Sequence, residues 1–256
     1  MKKLFILIIV IVFAFTGFYF YHQQSPVISP NSTPSPKTQS SPILEKLDTI
    51  TLNSQTYYFT YTLIDDLTNL KLYPNFKDQL SSVELIEKYH CSILINGGFY
   101  SEDFKPLGWL VSNSQQLSSP IKSQLFNGYL SIKNNKTSIT SNNLDAVTLG
   151  LQSGPLLIQA NQSLNLNIKN DEPRRRLVSA LTPSNQLLFI AIIIKDSLFF
   201  GPMLADLPGV IEAISRQLQI PITDAINLDG GSASTFYSPS VHLKEFSPIG
   251  SFFCLP

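Results

Sequence analysis

The run "NQLLFIAIII", residues 185–194, constrains the fold more than any other stretch of this chain. It is apolar without alternation, so as a strand it must be covered on both faces. Lys195, Asp196 and Ser197 then make a turn. Next, "DLPGVIEAISRQLQI", residues 206–220, places Leu207, Val210, Ile211, Ile214 and Leu218 on one helical face. Pro208 suits the first turn and Asp206 the helix start, while Pro221 stops the helix. "DAINL" follows as a strand that delivers Asp229 at its C-terminal end.

The segments upstream point the same way. "TYYFTYTLID", residues 56–65, is β-branched and aromatic and reads as a strand. "DQLSSVELIEKYH", residues 78–90, reads as a short helix capped by Ser81 or Ser82. "CSILING", residues 91–97, is a buried strand ending in a sharp turn. "LGWLV", residues 107–111, is a further strand, with Trp109 expected in the core. Residues 128–165 hold short strands ("GYLSI", "AVTLGL", "PLLIQ") between Asn- and Ser-rich turns. Many strands with few helices imply an α+β domain: a twisted mixed β-sheet with a few packed helices.

Before that domain, Lys2 and Lys3 precede the uncharged apolar run 4–21. Its length is near the roughly 20 residues a spanning helix needs. No small-residue cleavage site follows, which favours an uncleaved N-terminal anchor over a signal peptide. The lysines would stay cytoplasmic, and the rest of the chain would face outward. Residues 22–45 are rich in Pro and Ser and read as a disordered linker. The organisation expected is thus anchor 1–21, linker 22–45 and folded domain 46–256, at the cell membrane with the domain extracytoplasmic. At 43% hydrophobic content the chain can bury one sizeable core. Its formal net charge is zero, and the cluster Arg174, Arg175 and Arg176 is too short for nucleic acid. Cys91 and Cys254 each sit in an apolar setting, so buried free thiols are expected ahead of a bridge. With three histidines and no metal-ligand spacing, no metal site is expected; no dense carboxylate loop predicts Ca²⁺, and the need for a divalent cation is left open.

Four glycine-bearing stretches stand at strand ends: "INGGFYSED" (95–103), "KPLGWLV" (105–111), "QSGPLLI" (152–158) and "NLDGGSAS" (227–234). Each alone reads as a turn. Together, their backbone N–H groups could form anion nests, with an arginine fork nearby, which suits a phosphate or a polar sugar. Ser232 and Ser234 do not make a Gly-x-Ser-x-Gly elbow, and the Gly-Lys-Ser/Thr of a P-loop is missing.

In this order and spacing, "NGGFY", "PLGWLV", "SGPLLI", Arg176 ahead of the long strand and "DAINLDGGSAS" resemble the phosphodiester glycosidase domain family. The likeness covers about residues 50–256. The chain departs from the family pattern at Ala180, where Gly is usual, and at Ser232, where a third Gly often follows the acid. The resemblance implies hydrolysis of a sugar-1-phosphodiester in a glycan or envelope polysaccharide. Breaking the C1–O bond expels a phosphomonoester and needs charge stabilisation on both fragments. Asp229 is the first candidate carboxylate, with Asp103 and Glu102 behind it. Arg176 is the candidate phosphate ligand, helped by N–H groups of Gly97, Gly98, Gly230 and Gly231. Asn96 and Asn227 are candidate sugar ligands, and Gly108, Gly154, Ser232 and Ser234 are further candidate substrate-binding residues. The alternatives are a surface glycan-binding protein that has lost catalysis, and a structural factor for polysaccharide assembly.

Overall fold

The computed structural model describes residues 44–143 and 145–256. The expected anchor and most of the expected linker lie outside them. Within the described residues no helix is long and apolar enough to cross a membrane. A 3-10 turn (Leu44–Lys46) precedes β1 (Asp48–Leu52), β2 (Gln55–Ile64) and β3 (Lys71–Pro74). Helix α1 (Ser82–Tyr89) leads into β4 (Ile93–Asn96). Seven short strands follow: β5 (Leu110–Ser112), β6 (Gln115–Ser118), β7 (Gly128–Lys133), β8 (Lys136–Thr140), β9 (Leu149–Ser153), β10 (Leu156–Gln159) and β11 (Gln162–Ser163). The long pair is β12 (Arg176–Leu181) and β13 (Leu187–Ile194). Then come helix α2 (Leu207–Leu218), β14 (Asp224–Asn227), β15 (Phe236–Ser238), β16 (Val241–Leu243) and β17 (Ser251–Leu255).

These strands form three sheets. One has seven strands in the order β1-β2-β13-β12-β14-β10-β11. The two five-stranded sheets run β16-β15-β4-β17-β3 and β6-β5-β9-β7-β8. The domain is mostly sheet with two helices, and every ladder is antiparallel. β13 lies between β2 and β12, and its apolar run is covered on both faces as expected. Leu188, Ile190 and Ile192 pack against Leu207, Val210, Ile211 and Ile214 of α2. Leu187, Phe189, Ala191 and Ile193 belong to the opposite core, shared with Leu72, Ile95, Leu130, Leu151 and Phe253 of the two smaller sheets. Each Leu, Ile, Val or Phe side chain here contributes roughly 1.5–3 kcal/mol by leaving water, which is why an unalternating run is placed here.

The helices end where their local chemistry says they should. Ser81 is the N-cap of α1, and it makes a reciprocal capping box with Glu84. Helix α2 has Pro208 in its first turn, but Asp206 makes no side-chain cap bond. It stops at Leu218, with Gln219 left-handed, before Pro221 is reached. Trp109 is buried and packs so closely on Gly150 that a Cβ there would sit 2.4 Å from its ring.

The cysteines correct the expectation of free thiols: Cys91 and Cys254 form a disulfide. Pairing of β4 with β17 places Cys254 opposite Leu94, and the two Cα atoms are 5.4 Å apart. The apolar setting is real, since both cysteines lie in a small core with Leu85, Leu94, Ile249 and Phe252. It houses a bridge because the ladder joins segments 163 residues apart in sequence.

Candidate active site

The segments after β4 and β14 meet and are stitched together by backbone and amide bonds. The Asp229 N–H donates to the Gly97 carbonyl at 3.1 Å. Asn96 donates from Nδ2 to the Asp229 carbonyl (2.7 Å), and its Oδ1 accepts from the Thr235 N–H (2.7 Å). The chain entering β12 runs alongside, and the Arg175 carbonyl accepts from the Gly231 N–H at 2.8 Å. This crossing explains the missing bulk after the acid. A Cβ on Gly230 would lie 2.5 Å from the Arg175 carbonyl oxygen, and Gly231 has φ +67°.

Asp229 itself is buried, with 9% of its surface exposed. Among the described residues its carboxyl group has no hydrogen bond or ion pair. Burial pushes its pKa up to about 8. Tyr100 lies near enough to feel it: burial first, then the Asp229 charge, raises the Tyr100 pKa, and a hydrogen bond with Ser247 opposes them. The Tyr100 hydroxyl donates to the Pro248 carbonyl, and its ring stacks on Phe104 with centroids 5.2 Å apart. The Ser232 carbonyl accepts from the N–H groups of Phe246 (2.7 Å) and Ser247 (3.0 Å). The Ser247 hydroxyl donates to that of Ser232 at 3.0 Å. A buried carboxyl group with no bonded partner, beside a phenol and two hydroxyls, can donate and accept a proton next to a polar ligand.

The arginines divide by strand alternation. Arg176 is tied to the segment that leads into α2. Its Nε donates to the Pro202 carbonyl (2.9 Å), and one terminal nitrogen reaches the Glu172 carbonyl (2.7 Å) and Asp171 Oδ1 (3.3 Å). Asp171 also accepts from the N–H groups of Leu204 and Ala205. Arg175 instead runs under the Asp229 turn, fully buried. Its Nε donates to Ser234 Oγ (2.7 Å) and one terminal nitrogen to the Lys244 carbonyl (2.8 Å). The other terminal nitrogen is buried without a partner. Burial lowers its pKa to about 10, against the opposing pull of Glu245.

The remaining expected residues are placed as follows. Three of the four glycine N–H groups expected to face an anion bond protein instead: Gly97 to the Ser251 carbonyl, Gly98 to Ser251 Oγ and Gly231 to Arg175. Asn227 donates to the Gly154 carbonyl at 2.9 Å, leaving its Oδ1 buried and unpaired. Gly108 (φ +99°) is packed against Gln152, and a Cβ on Gly154 would meet the Leu125 carbonyl. Ser234 is buried under the turn, and its hydroxyl donates to Gly231 O. Glu102 and Asp103 are exposed on the loop beyond Tyr100, with Asp103 3.8 Å from Lys105. The structure therefore brings together Asn96, Gly97, Asp229, Gly230, Gly231, Ser232 and Ser234. It sends Arg176 to a separate ion pair and Asp103 to a surface one. Among the described residues no group of three or more His, Cys, Asp or Glu could hold a metal ion.

The model of the phosphodiester glycosidase family matches residues 89–252, which includes every segment of this site. The chain belongs to that family. As a member of it, the domain also resembles solved structures. One is the catalytic domain of zebrafish N-acetylglucosamine-1-phosphodiester alpha-N-acetylglucosaminidase, auto-inhibited by its pro-peptide. The match has TM-score 0.60 and 16% identity, and covers 82% of this chain and 81% of that one. Another is a hypothetical protein from Synechocystis, at TM-score 0.57 and 14% identity, covering 81% of this chain and 61% of that one. At these identities the likeness shows the fold. No curated protein matches the sequence. Within this family domain, sequence reasoning missed Arg175 and Tyr100. Arg175 stood one position from the arginine singled out, and only strand alternation distinguishes the two. Tyr100 lay inside a quoted motif, and its place beside Asp229 depends on contacts far apart in the chain.

Proposed function

We propose that the chain is an extracytoplasmic hydrolase that cleaves the glycosidic bond of a sugar-1-phosphodiester, with Asp229 as its general acid and base. The observation that carries this reading is a buried carboxyl group with a pKa raised to about 8 at the centre of the family's most specific motif. At neutral pH such a group is protonated. It can give its proton to the departing phosphate oxygen as the C1–O bond breaks, then accept one from the water that adds to C1. Arg175, held rigid beneath the turn, contributes fixed positive charge to the site. Asn96 acts by positioning the Asp229 backbone. The family's usual Gly is replaced by Ala180 inside the core facing α2, paired with Leu188 and Ala225. That departure is one of packing and favours no loss of catalysis.

The Cys91–Cys254 disulfide supports an oxidising, extracytoplasmic setting. It fits the charged, apolar and Pro/Ser-rich N-terminal sequence read as a membrane anchor and spacer. The substrate class we infer is a glycan or sugar-phosphate polymer of the cell envelope. The test is hydrolysis of a panel of sugar-1-phosphodiesters in ¹⁸O-labelled water. Label in the released sugar is expected; label in the phosphate would mean P–O cleavage and would overturn the glycosidase reading.

A further inference from the structure

Beside the Asp229 turn lies a group of rings that the proposed chemistry does not use. Phe246 is 61% exposed and Phe200 44% exposed, although large aromatic side chains are normally drawn inward. Phe199 joins them edge-on, with centroids 5.7 Å from Phe246 and 5.2 Å from Phe200. Two cations back these rings. The Arg174 guanidinium lies 5.1 Å from the Phe199 centroid, and that of Arg175 lies 5.3 Å from the Phe246 centroid.

The patch is continuous with the site. The Phe246 N–H is bonded to the Ser232 carbonyl, three residues after Asp229. The side chain of Arg174 runs past Gly231, its Cδ 3.7 Å from where a Cβ would stand. Among the described residues Arg174 forms an ion pair only with Glu172, across a partly exposed bridge. Exposed pairs of this kind hold weakly, so an incoming anion can compete for the cation. The hydroxyls of Ser232 and Ser247, 3.0 Å apart, belong to the two segments that carry Asp229 and Phe246.

An open ring face, two hydroxyls and an exchangeable cation do not match a purely apolar occupant. They match a sugar ring, whose C–H face stacks on an aromatic while its hydroxyls bond outward, carrying a phosphate that reaches the arginine. We propose that Phe246, Phe199 and Arg174 form a subsite for an anionic saccharide, holding a phosphate-bearing sugar unit of the substrate next to Asp229. The inference rests on the glycosidase reading for the identity of the ligand, and it assigns Phe246 and Arg174 as substrate-binding residues.

The test is calorimetric titration of the full chain with N-acetylglucosamine-1-phosphate and with N-acetylglucosamine. Variants are Phe246→Ala, Phe246→Tyr and Arg174→Gln. Wild type should bind the phosphorylated sugar saturably. Phe246→Ala should weaken that binding roughly five- to tenfold, and Phe246→Tyr should restore it, as loss and return of one stacked ring predicts. Arg174→Gln should weaken the phosphorylated sugar and leave the neutral one unchanged. Equal binding by wild type and Phe246→Ala, or no saturable binding of either sugar by wild type, would overturn the subsite. So would Phe246-dependent binding to anionic phospholipid vesicles without sugar binding, which would make the patch a membrane contact. Turnover separates the two inferences. If Asp229→Asn abolishes sugar release while Phe246→Ala leaves KM unchanged, the subsite fails and the enzyme stands. If wild type releases no sugar yet binds it through Phe246, the enzyme reading fails and the subsite stands.

Discussion

At the scale of single residues, two buried ionisable groups make opposite predictions. An aspartate titrates near 4 in an unfolded chain, and Asp229 titrates at about 8 in the folded one. Between those values the native state holds the extra proton, so stability falls as pH rises through that window and levels off above it. Asp229→Asn cannot ionise. It should leave the stability nearly unchanged at about pH 4 and raise it progressively toward about pH 8, by an amount on the order of a few kcal/mol, with the melting temperature rising in step. Thermal melts across that range check the sign. Arg176 behaves as a structural cation: removing it leaves the largely enclosed Asp171 carboxylate without its counter-charge. Arg176→Met should cost about 3 kcal/mol in denaturant unfolding, and Asp171→Leu in the same chain should recover part of the loss. The sequence placed Arg176 at a phosphate because neighbouring arginines look alike in one dimension. Successive residues of an extended segment face opposite ways, and it is Arg175 that runs beneath the Asp229 turn. The glycines after Asp229 were read as room for a ligand. Gly230 is small chiefly because the Arg175 carbonyl passes where its Cβ would be.

At the scale of elements, much was legible because local rules and burial agree. β13 is apolar on both faces and is covered on both, and α2 presents the side chains its periodicity predicted. The cap of α1 is readable from Ser81 and Glu84 alone. Ser81→Ala should therefore destabilise the domain by about 1 kcal/mol, measured as a shift in the urea midpoint with an unchanged slope. The division into three sheets was not legible. The partners of β4, for example, are β15 and β17, both more than a hundred residues downstream. Nothing local to "CSILIN" encodes that choice. It follows from which faces remain to be buried after the long strands have paired.

At the scale of the whole molecule, the disulfide and the site belong to one architecture. β4 carries Cys91 just before its start and Asn96 at its end, so the strand anchored by the bridge also presents the amide that holds the Asp229 turn. Cys91→Ser with Cys254→Ser should cost about 2–5 kcal/mol, and the unreduced wild type should show no reactive thiol in denaturant. Two reactive thiols per chain would contradict the bridge. In the proposed mechanism the family fold delivers a buried, proton-carrying Asp229 to a sugar phosphodiester. The most direct measurement is the pH dependence of sugar release by wild type and Asp229→Asn, on the sugar-1-phosphodiester that wild type turns over fastest. The wild-type rate should fall as pH rises through about 8. The variant should be slower by at least about 10² at neutral pH and lack that fall. A variant that keeps the wild-type rate and profile, or a wild type that releases no sugar from any of these diesters, would contradict the account.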